Sequence, residues 1–206
     1  MDYQQDNPAV YGLKFEARCM APRLGEKDSH NFIVGTHSLK EKNEIHVIDF
    51  KEETNEVECI GLYSHPGEIW QLQASSCDTD LFASVYTDSK GWHCSAWKLG
   101  DGKAGDKDGG EAEEDIQKLK HVGDFKGHEG AISTLKWSVV EEGDEGGEES
   151  VVTIDSKRVR WWKLAQGGSI DEGKCLTTPE IKGLTTGCFD PHHDLHFVTG
   201  DSRNIS

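Results

Sequence analysis

The sequence predicts an all-β fold made of repeated four-stranded units set side by side, and three observations carry that prediction. Runs of four to eight β-branched or aromatic residues recur along the 206 residues, each bounded by Gly, Asp, Ser or Glu. Two units open on a His and close on Trp-Lys-Leu at nearly equal spacing, His65 to Trp97 and His128 to Trp162. No segment sustains a 3.6-residue period; the helix candidate, Glu111 to Lys120, is short, acidic and flanked by Gly.

Residues 1–10 are polar and expected to be flexible. The first unit, about 11–63, offers strands at Tyr11–Ala17, Asn31–Thr36, Ile45–Phe50 and Val57–Tyr63. The second, 64–125, starts at Ser64-His65 and runs through Ile69–Ser75, Leu81–Tyr86 and the close at Trp97-Lys98-Leu99, with an outer strand at Leu119–Phe125. The third, 127–178, opens Gly127-His128-Glu129-Gly130. It continues through Ala131–Trp137, Val151–Asp155 and Val159–Leu164 to a closing strand near Lys174–Thr178. The fourth, 184–206, is truncated: it turns at His192-His193-Asp194 and stops before a closing Trp could arrive. A Gly-His pair, three strands and a Trp-x-Leu close is the pattern of one blade of a WD-repeat β-propeller, about 40–45 residues long. The expectation is therefore an incomplete propeller of about three and a half blades, forming the N-terminal portion of a longer protein.

In such blades the His, a second-strand Ser or Thr, an Asp in the next turn and the Trp are joined by hydrogen bonds. The sequence nominates His65, Ser84, Asp88 and Trp97 in one unit and His128, Thr153, Asp155 and Trp162 in another. In the first unit Ile48-Asp49 takes the Trp-Asp place, which adds Asp49. A buried imidazole and indole N–H both need partners, so a structural role is favoured over catalysis. No Gly-x-Ser-x-Gly elbow is present, and no nucleophile stands at a spacing that suggests a triad. Three His and two Asp between Asp190 and His196 resemble a zinc set, but Pro and Asp at a hairpin position read as a turn. Gly100-Asp101-Gly102 is followed by no Gly-Lys-Ser/Thr, and its acids repel phosphate. No cofactor, metal or small-molecule substrate is expected.

The net charge of −16 argues against nucleic acid as a partner. No apolar window is long enough to span a bilayer, and Met1–Asp6 lacks the basic and apolar parts of a signal peptide. Six cysteines with no Cys-x-x-Cys pair read as reduced thiols in a cytoplasmic protein. Two insertions, 100–115 and 141–149, carry 13 acids and 2 lysines, and both are expected to be disordered. In an antiparallel blade both hang from one face. The opposite, short-loop face is the expected binding surface, with Glu68, Trp70, Ala131 and Ser133 as candidate partner-binding residues at the starts of first strands. Trp70 is either blade packing or an interface anchor.

Four stretches carry a narrower likeness: Tyr11–Arg18, Phe32–Lys40, Asn43–Phe50 and His65–Trp70. Through them the chain resembles the family of the EARP-and-GARP-complex-interacting protein, also called the tumour-suppressing subchromosomal transferable fragment protein. The resemblance is strongest over residues 11–75. It implies a seven-bladed, cytosolic, non-catalytic scaffold that binds protein subunits of tethering complexes at endosomes and the trans-Golgi network, supporting endosomal recycling and retrograde vesicle traffic. It implies peripheral membrane association through partners, with no direct membrane insertion. The chain departs by ending mid-blade and by carrying longer acidic insertions. Two rivals use the same architecture. A ubiquitin-ligase substrate receptor often carries Trp-Asp-x-Arg, which neither Trp97-Lys98-Leu99-Gly100 nor Trp162-Lys163-Leu164-Ala165 supplies; a propeller hydrolase is the other.

Overall fold

Near-continuous buried runs such as Leu81–Tyr86 and Val151–Ile154 can bury side chains on both sides of a sheet only if sheets stack face to face, and the fold is that stack. The structure, a computed structural model, describes residues 8–39, 42–100, 116–138, 149–164, 170–177, 183–190 and 192–201. Within them the chain forms strands and no helix. The first sheet contains β1 (Ala17–Pro22), β2 (His30–Thr36), β3 (Asn43–Lys51) and β4 (Glu56–His65) in that order. The second is built from β5 (Glu68–Ala74), β6 (Leu81–Asp88) and β7 (Gly91–Lys98). Its outer strand comes after the two-residue β8 (Gln117–Lys118) and is β9 (Lys120–Asp124). The third contains β10 (Ile132–Trp137), β11 (Glu149–Asp155), β12 (Arg158–Leu164) and β13 (Ile170–Thr177). The fourth has two described strands, β14 (Leu184–Asp190) and β15 (His193–Asp201). Ladders within a blade are antiparallel, and the first strands β1, β5, β10 and β14 pack against one another in sequence. This is an incomplete β-propeller.

The core lies between blades. Ile33, Ile45 and Val47 of the first meet Ile69, Leu72, Phe82 and Trp97 of the second. On the other side of the second sheet, Leu81, Ala83 and Val85 meet Ile132, Leu135, Val151 and Trp162 of the third. The third then presents Val152, Ile154 and Val159 to Leu184, with Trp161 against Phe189 and Phe197. Successive residues of one strand thus serve two interfaces, as the period of two requires. Each fully buried Ile, Leu or Phe contributes about 1.5–3 kcal/mol.

Several expectations are corrected. Tyr11–Glu16 is not a strand; β1 starts at Ala17, because pairing of Cys19 with Gly35 and Ala21 with Ile33 puts Ala21 in the core. The described part of the helix candidate is extended: β8 pairs in parallel with Tyr63 and Ser64 of β4, and the chain then crosses to the second blade as β9. That short ladder gives the first sheet a fifth strand and covers part of its edge. Glu149, which composition places in an acidic loop, opens β11 and is buried. Residues 101–115 and 139–148, which hold the rest of both acidic insertions, lie outside the described residues, as do 1–7. Their described roots sit at one end of the blades: Leu99 N–H donates to Asp80 O, and Glu149 meets Ser75.

Candidate interaction surface

The second and third blades each join a His ahead of the first strand to the second and third strands, and both do it with the same chemistry. In the third, Trp162 Nε1–H donates to Thr153 Oγ1 at 2.7 Å, and His128 Nε2 lies 2.7 Å from that hydroxyl. The hydroxyl has one proton, so it goes to Nε2, and Nδ1–H donates to Asp155 Oδ2 at 3.0 Å. Asp155 in turn accepts from Lys157 N and Arg158 N at 2.9 Å each, closing the β11–β12 turn. Burial raises the Asp155 pKa, but those bonds and His128 outweigh it and hold it below the usual range. Burial pushes His128 below its usual value, against the pull of Asp155.

The second blade repeats the chain of donors with a different end. Trp97 Nε1–H donates to Ser84 Oγ at 2.9 Å, Ser84 reaches His65 Nε2 at 3.0 Å, and His65 Nδ1–H donates to Gly67 O at 3.0 Å. Burial lowers the His65 pKa to about 4, so the ring is neutral at pH 7.

Asp88 is not part of this network, contrary to expectation. Thr153 and Trp162 are nine positions apart, while Ser84 and Trp97 are thirteen, so the second hairpin has two extra residues on each strand. The place of Asp155 is therefore taken by Tyr86, whose ring meets His65 edge-on at 4.9 Å. Asp88 is carried to the hairpin tip, where it holds His93 Nε2 at 2.8 Å and Lys90 N at 2.7 Å. Asp49 also lies outside any such bridge. It accepts from Asn31 Nδ2 at 3.0 Å across the β2–β3 pair, and the first blade has Val34 where Ser84 and Thr153 stand.

The first strands share a feature that sequence did not reveal. Each carries a one-residue bulge near its start, and the extra residues are Arg18, Trp70, Ser133 and Thr185. A bulge re-aims its side chain out of the regular alternation. Two of the four candidates, Trp70 and Ser133, are such residues; Glu68 and Ala131 stand two positions before them.

The structure gathers a cluster around Trp70. The Arg18 guanidinium lies 4.2 Å from its ring centroid, a cation–π distance. His37 meets it edge-on at 4.8 Å, and Trp92 lies tilted against it at 5.1 Å. Its indole N–H donates to Thr87 Oγ1 at 2.8 Å, and Glu68 Oε2 lies 3.5 Å from both Thr87 Oγ1 and His37 Nε2. Trp70 is half-buried and Ala131 exposed. Ser133 is not in this cluster. Its carbonyl accepts from Gln71 Nε2 at 2.7 Å and its hydroxyl donates to the backbone at Ile154 O and Leu184 O, 3.3 Å each, so it ties the second, third and fourth blades together. Arg18, His37 and Trp92 escaped sequence reasoning because they reach Trp70 from other strands, two of them from the first blade, and Gln71 because it reaches across to Ser133 and Leu135 of the third. Trp and Arg are among the side chains enriched at the anchoring centres of protein–protein contacts.

A model of a family described as the EIPR1 β-propeller matches residues 5–205. Among curated relatives, EARP and GARP complex-interacting protein 1 of Homo sapiens is 30% identical over 204 residues, covering 93% of this chain and 51% of its own length. The EARP-interacting protein homolog of Gekko japonicus is 31% identical with the same coverage. WD repeat-containing protein DWA2 of Arabidopsis thaliana is 27% identical over 195 residues, covering 94% of this chain and 52% of itself. The chain thus spans about half the length of the curated relatives it matches. A solved structure of a Lactobacillus plantarum protein superposes with a TM-score of 0.59 at 12% identity, over 95% of this chain and 51% of that one, which speaks to fold alone.

Proposed function

The chain belongs to the EIPR1 β-propeller family, and from that premise we propose that it is a non-catalytic adaptor whose partners are protein subunits of the EARP and GARP tethering complexes. The observation that carries this reading is the family match along nearly the whole chain, with relatives named for those complexes. On this reading it acts in the cytoplasm, peripherally at endosomes or the trans-Golgi network, in endosomal recycling and retrograde traffic. Contact runs through the end of the blades where Glu68, Trp70, Ala131 and Ser133 start the first strands. Trp70 is the anchor, because part of its surface is open while Thr87, Trp92 and Arg18 hold the rest in place. Glu68 orients that end through His37 and Thr87. Both blade histidines are engaged in bridges between strands, which supports a scaffold role.

The test is capture of purified EARP and GARP complexes by the immobilised full chain. Retention is expected, and Trp70→Ala should weaken it about tenfold or more, as loss of an anchoring Trp does at other interfaces. Ala131→Glu, at an exposed position, serves as a second variant that leaves the core alone. Absence of both complexes from the eluate overturns the partner assignment. Retention unchanged by either substitution overturns the surface.

A further inference from the structure

Arginines in this fold are engaged with acceptors, with one exception among the described residues. Arg23 donates to Thr79 O and Asn31 Oδ1, Arg158 to Gly127 O and Glu129 Oε1, and Arg160 to Gly127 O and Glu172. Arg18 donates to no acceptor and forms no ion pair among the described residues, although the chain carries 38 acids against 22 lysines and arginines. It is exposed, and its guanidinium lies over the Trp70 ring at 4.2 Å from the centroid.

The ladders explain this arrangement. Ala17 pairs with Thr36 and Cys19 with Gly35, so Arg18 is left over and its side chain turns out of the regular alternation. Trp70 holds the same place in β5, between Ile69 and Gln71. β1 packs against β5, and the two bulged residues meet, cation over ring. The indole is fixed in its turn by Thr87 Oγ1 at 2.8 Å and by Trp92. The acid two positions before it, Glu68, is turned to Thr87 and His37, 3.5 Å from each, and makes no ion pair with Arg18. Leu99 and Glu149, the described neighbours of the acidic insertions, stand at the other end of the blades.

We propose that Arg18 on Trp70 is the recognition point for an acidic segment of a partner protein. A partner Asp or Glu carboxylate takes the guanidinium fork, and an apolar neighbour of that residue lies against Trp70 and Trp92. The inference rests on the adaptor reading for its surface and adds the chemistry that the surface takes. A partner that covers Trp70 also removes the guanidinium above it from water. A charge buried without a counter-charge is costly, so the complementary partner brings a carboxylate to it. The planar fork, with its N–H groups free of internal acceptors, matches a carboxylate in bidentate fashion. Nucleic acid and anionic membrane are gripped by several cations at once, whereas this cluster presents one guanidinium.

The test uses the full chain and two short labelled peptides, one alternating Glu and Leu, the other with Gln in place of Glu, read by fluorescence anisotropy at low salt. The Glu peptide is expected to bind about tenfold or more tightly, as a charge-assisted fork provides, and added salt should narrow the gap. Arg18→Gln should remove that preference, and Arg18→Lys, which keeps the charge but not the fork, should reduce it. Lys157→Gln removes an exposed cation at the same end of the third blade and should leave the preference intact. Both positions lie outside the core, and far-UV circular dichroism checks the fold of each variant. Equal affinity for the two peptides, a preference that survives Arg18→Gln, or one that Lys157→Gln cuts as deeply overturns the proposal. So does Arg18-dependent sedimentation with phosphatidylserine vesicles in place of peptide binding. The adaptor reading is tested apart from this. EARP and GARP retained equally by the parent and Arg18→Gln sink the acidic segment alone. Their absence from the eluate with the Glu preference intact sinks the adaptor and upholds the Arg18 site.

Discussion

Glu149 and Ser75 are joined across two blades: the carboxylate, only 7% exposed, takes the serine hydroxyl at 2.8 and 2.7 Å on its two oxygens. Backbone N–H groups of Ser76 and Cys77 add bonds of 2.8 and 3.3 Å. The first residue of β11 is thereby clamped to the turn after β5. A carboxylate that accepts several N–H and O–H groups tolerates burial, because those donors replace its water.

Removing that clamp should therefore cost more than removing a surface acid. Glu149→Ala is expected to lower unfolding free energy by about 2–3 kcal/mol, since it leaves the buried Ser75 hydroxyl and the half-buried Ser76 N–H without this acceptor. The readout is the urea midpoint at constant slope. A change under about 0.5 kcal/mol means that water satisfies those donors and the clamp is incidental.

Two residues nominated by the same reasoning should behave differently. Thr153→Val orphans both Trp162 Nε1 and His128 Nε2 in the core and should cost about 2–3 kcal/mol. Asp88→Asn acts at the tip of a hairpin, where partners have water as an alternative, and should cost under about 1 kcal/mol. Equal losses in thermal or chemical unfolding count against the two-residue lengthening of the second hairpin as the reason.

Acid should destabilise the protein through His65. Its folded pKa is about 4, below the usual imidazole value of about 6.5. Between those values the unfolded chain takes up a proton that the folded chain refuses. Stability is thus fully present above about pH 6.5 and falls by up to about 3 kcal/mol as pH drops to 4. His128, also lowered, has the same sign, whereas His46, raised, has the opposite one. Comparing the pH dependence of urea unfolding for the parent and His65→Gln isolates the contribution. The variant should start less stable and lose less between pH 6.5 and 4; parallel curves rule the assignment out.

Two glycines of the Gly127-His128-Glu129-Gly130 motif separate backbone strain from crowding. Both have positive φ, 87° and 89°. A Cβ on Gly127 would stand 2.8 Å from Arg160 Nη2, which donates to Gly127 O at 2.7 Å, while one on Gly130 meets open space. Gly130→Ala should cost about 1–2 kcal/mol from backbone alone, and Gly127→Ala measurably more. The same cost at both positions, by differential scanning calorimetry, would show that Arg160 simply moves aside.

Much of the fold was legible because β-strands write a period of two and turns write Gly, Pro and Asp. The His, Ser or Thr, and Trp positions could be read too, since their spacing repeats between blades. Asp88 misleads because a hairpin can lengthen by two residues per strand without disturbing the alternation on either side, and Asp49 because the first blade has Val34 where the bridging hydroxyl would stand. Glu149 reads as loop because its neighbours from Glu141 onward are acidic, and composition cannot see the Ser75 turn that receives it. The four bulges were invisible, since one extra residue in a strand looks like a short loop.

What this sequence determines unaided is the kind of sheet and the order of its strands, because alternation, turn chemistry and repetition are properties of neighbouring residues. Tertiary structure alone decided which residues from separate blades meet: Arg18 over Trp70, Gln71 against Ser133 of the third blade, Glu149 under Ser75. Those meetings depend on register and bulges across ladders, where a shift of one residue sends a side chain to the opposite face.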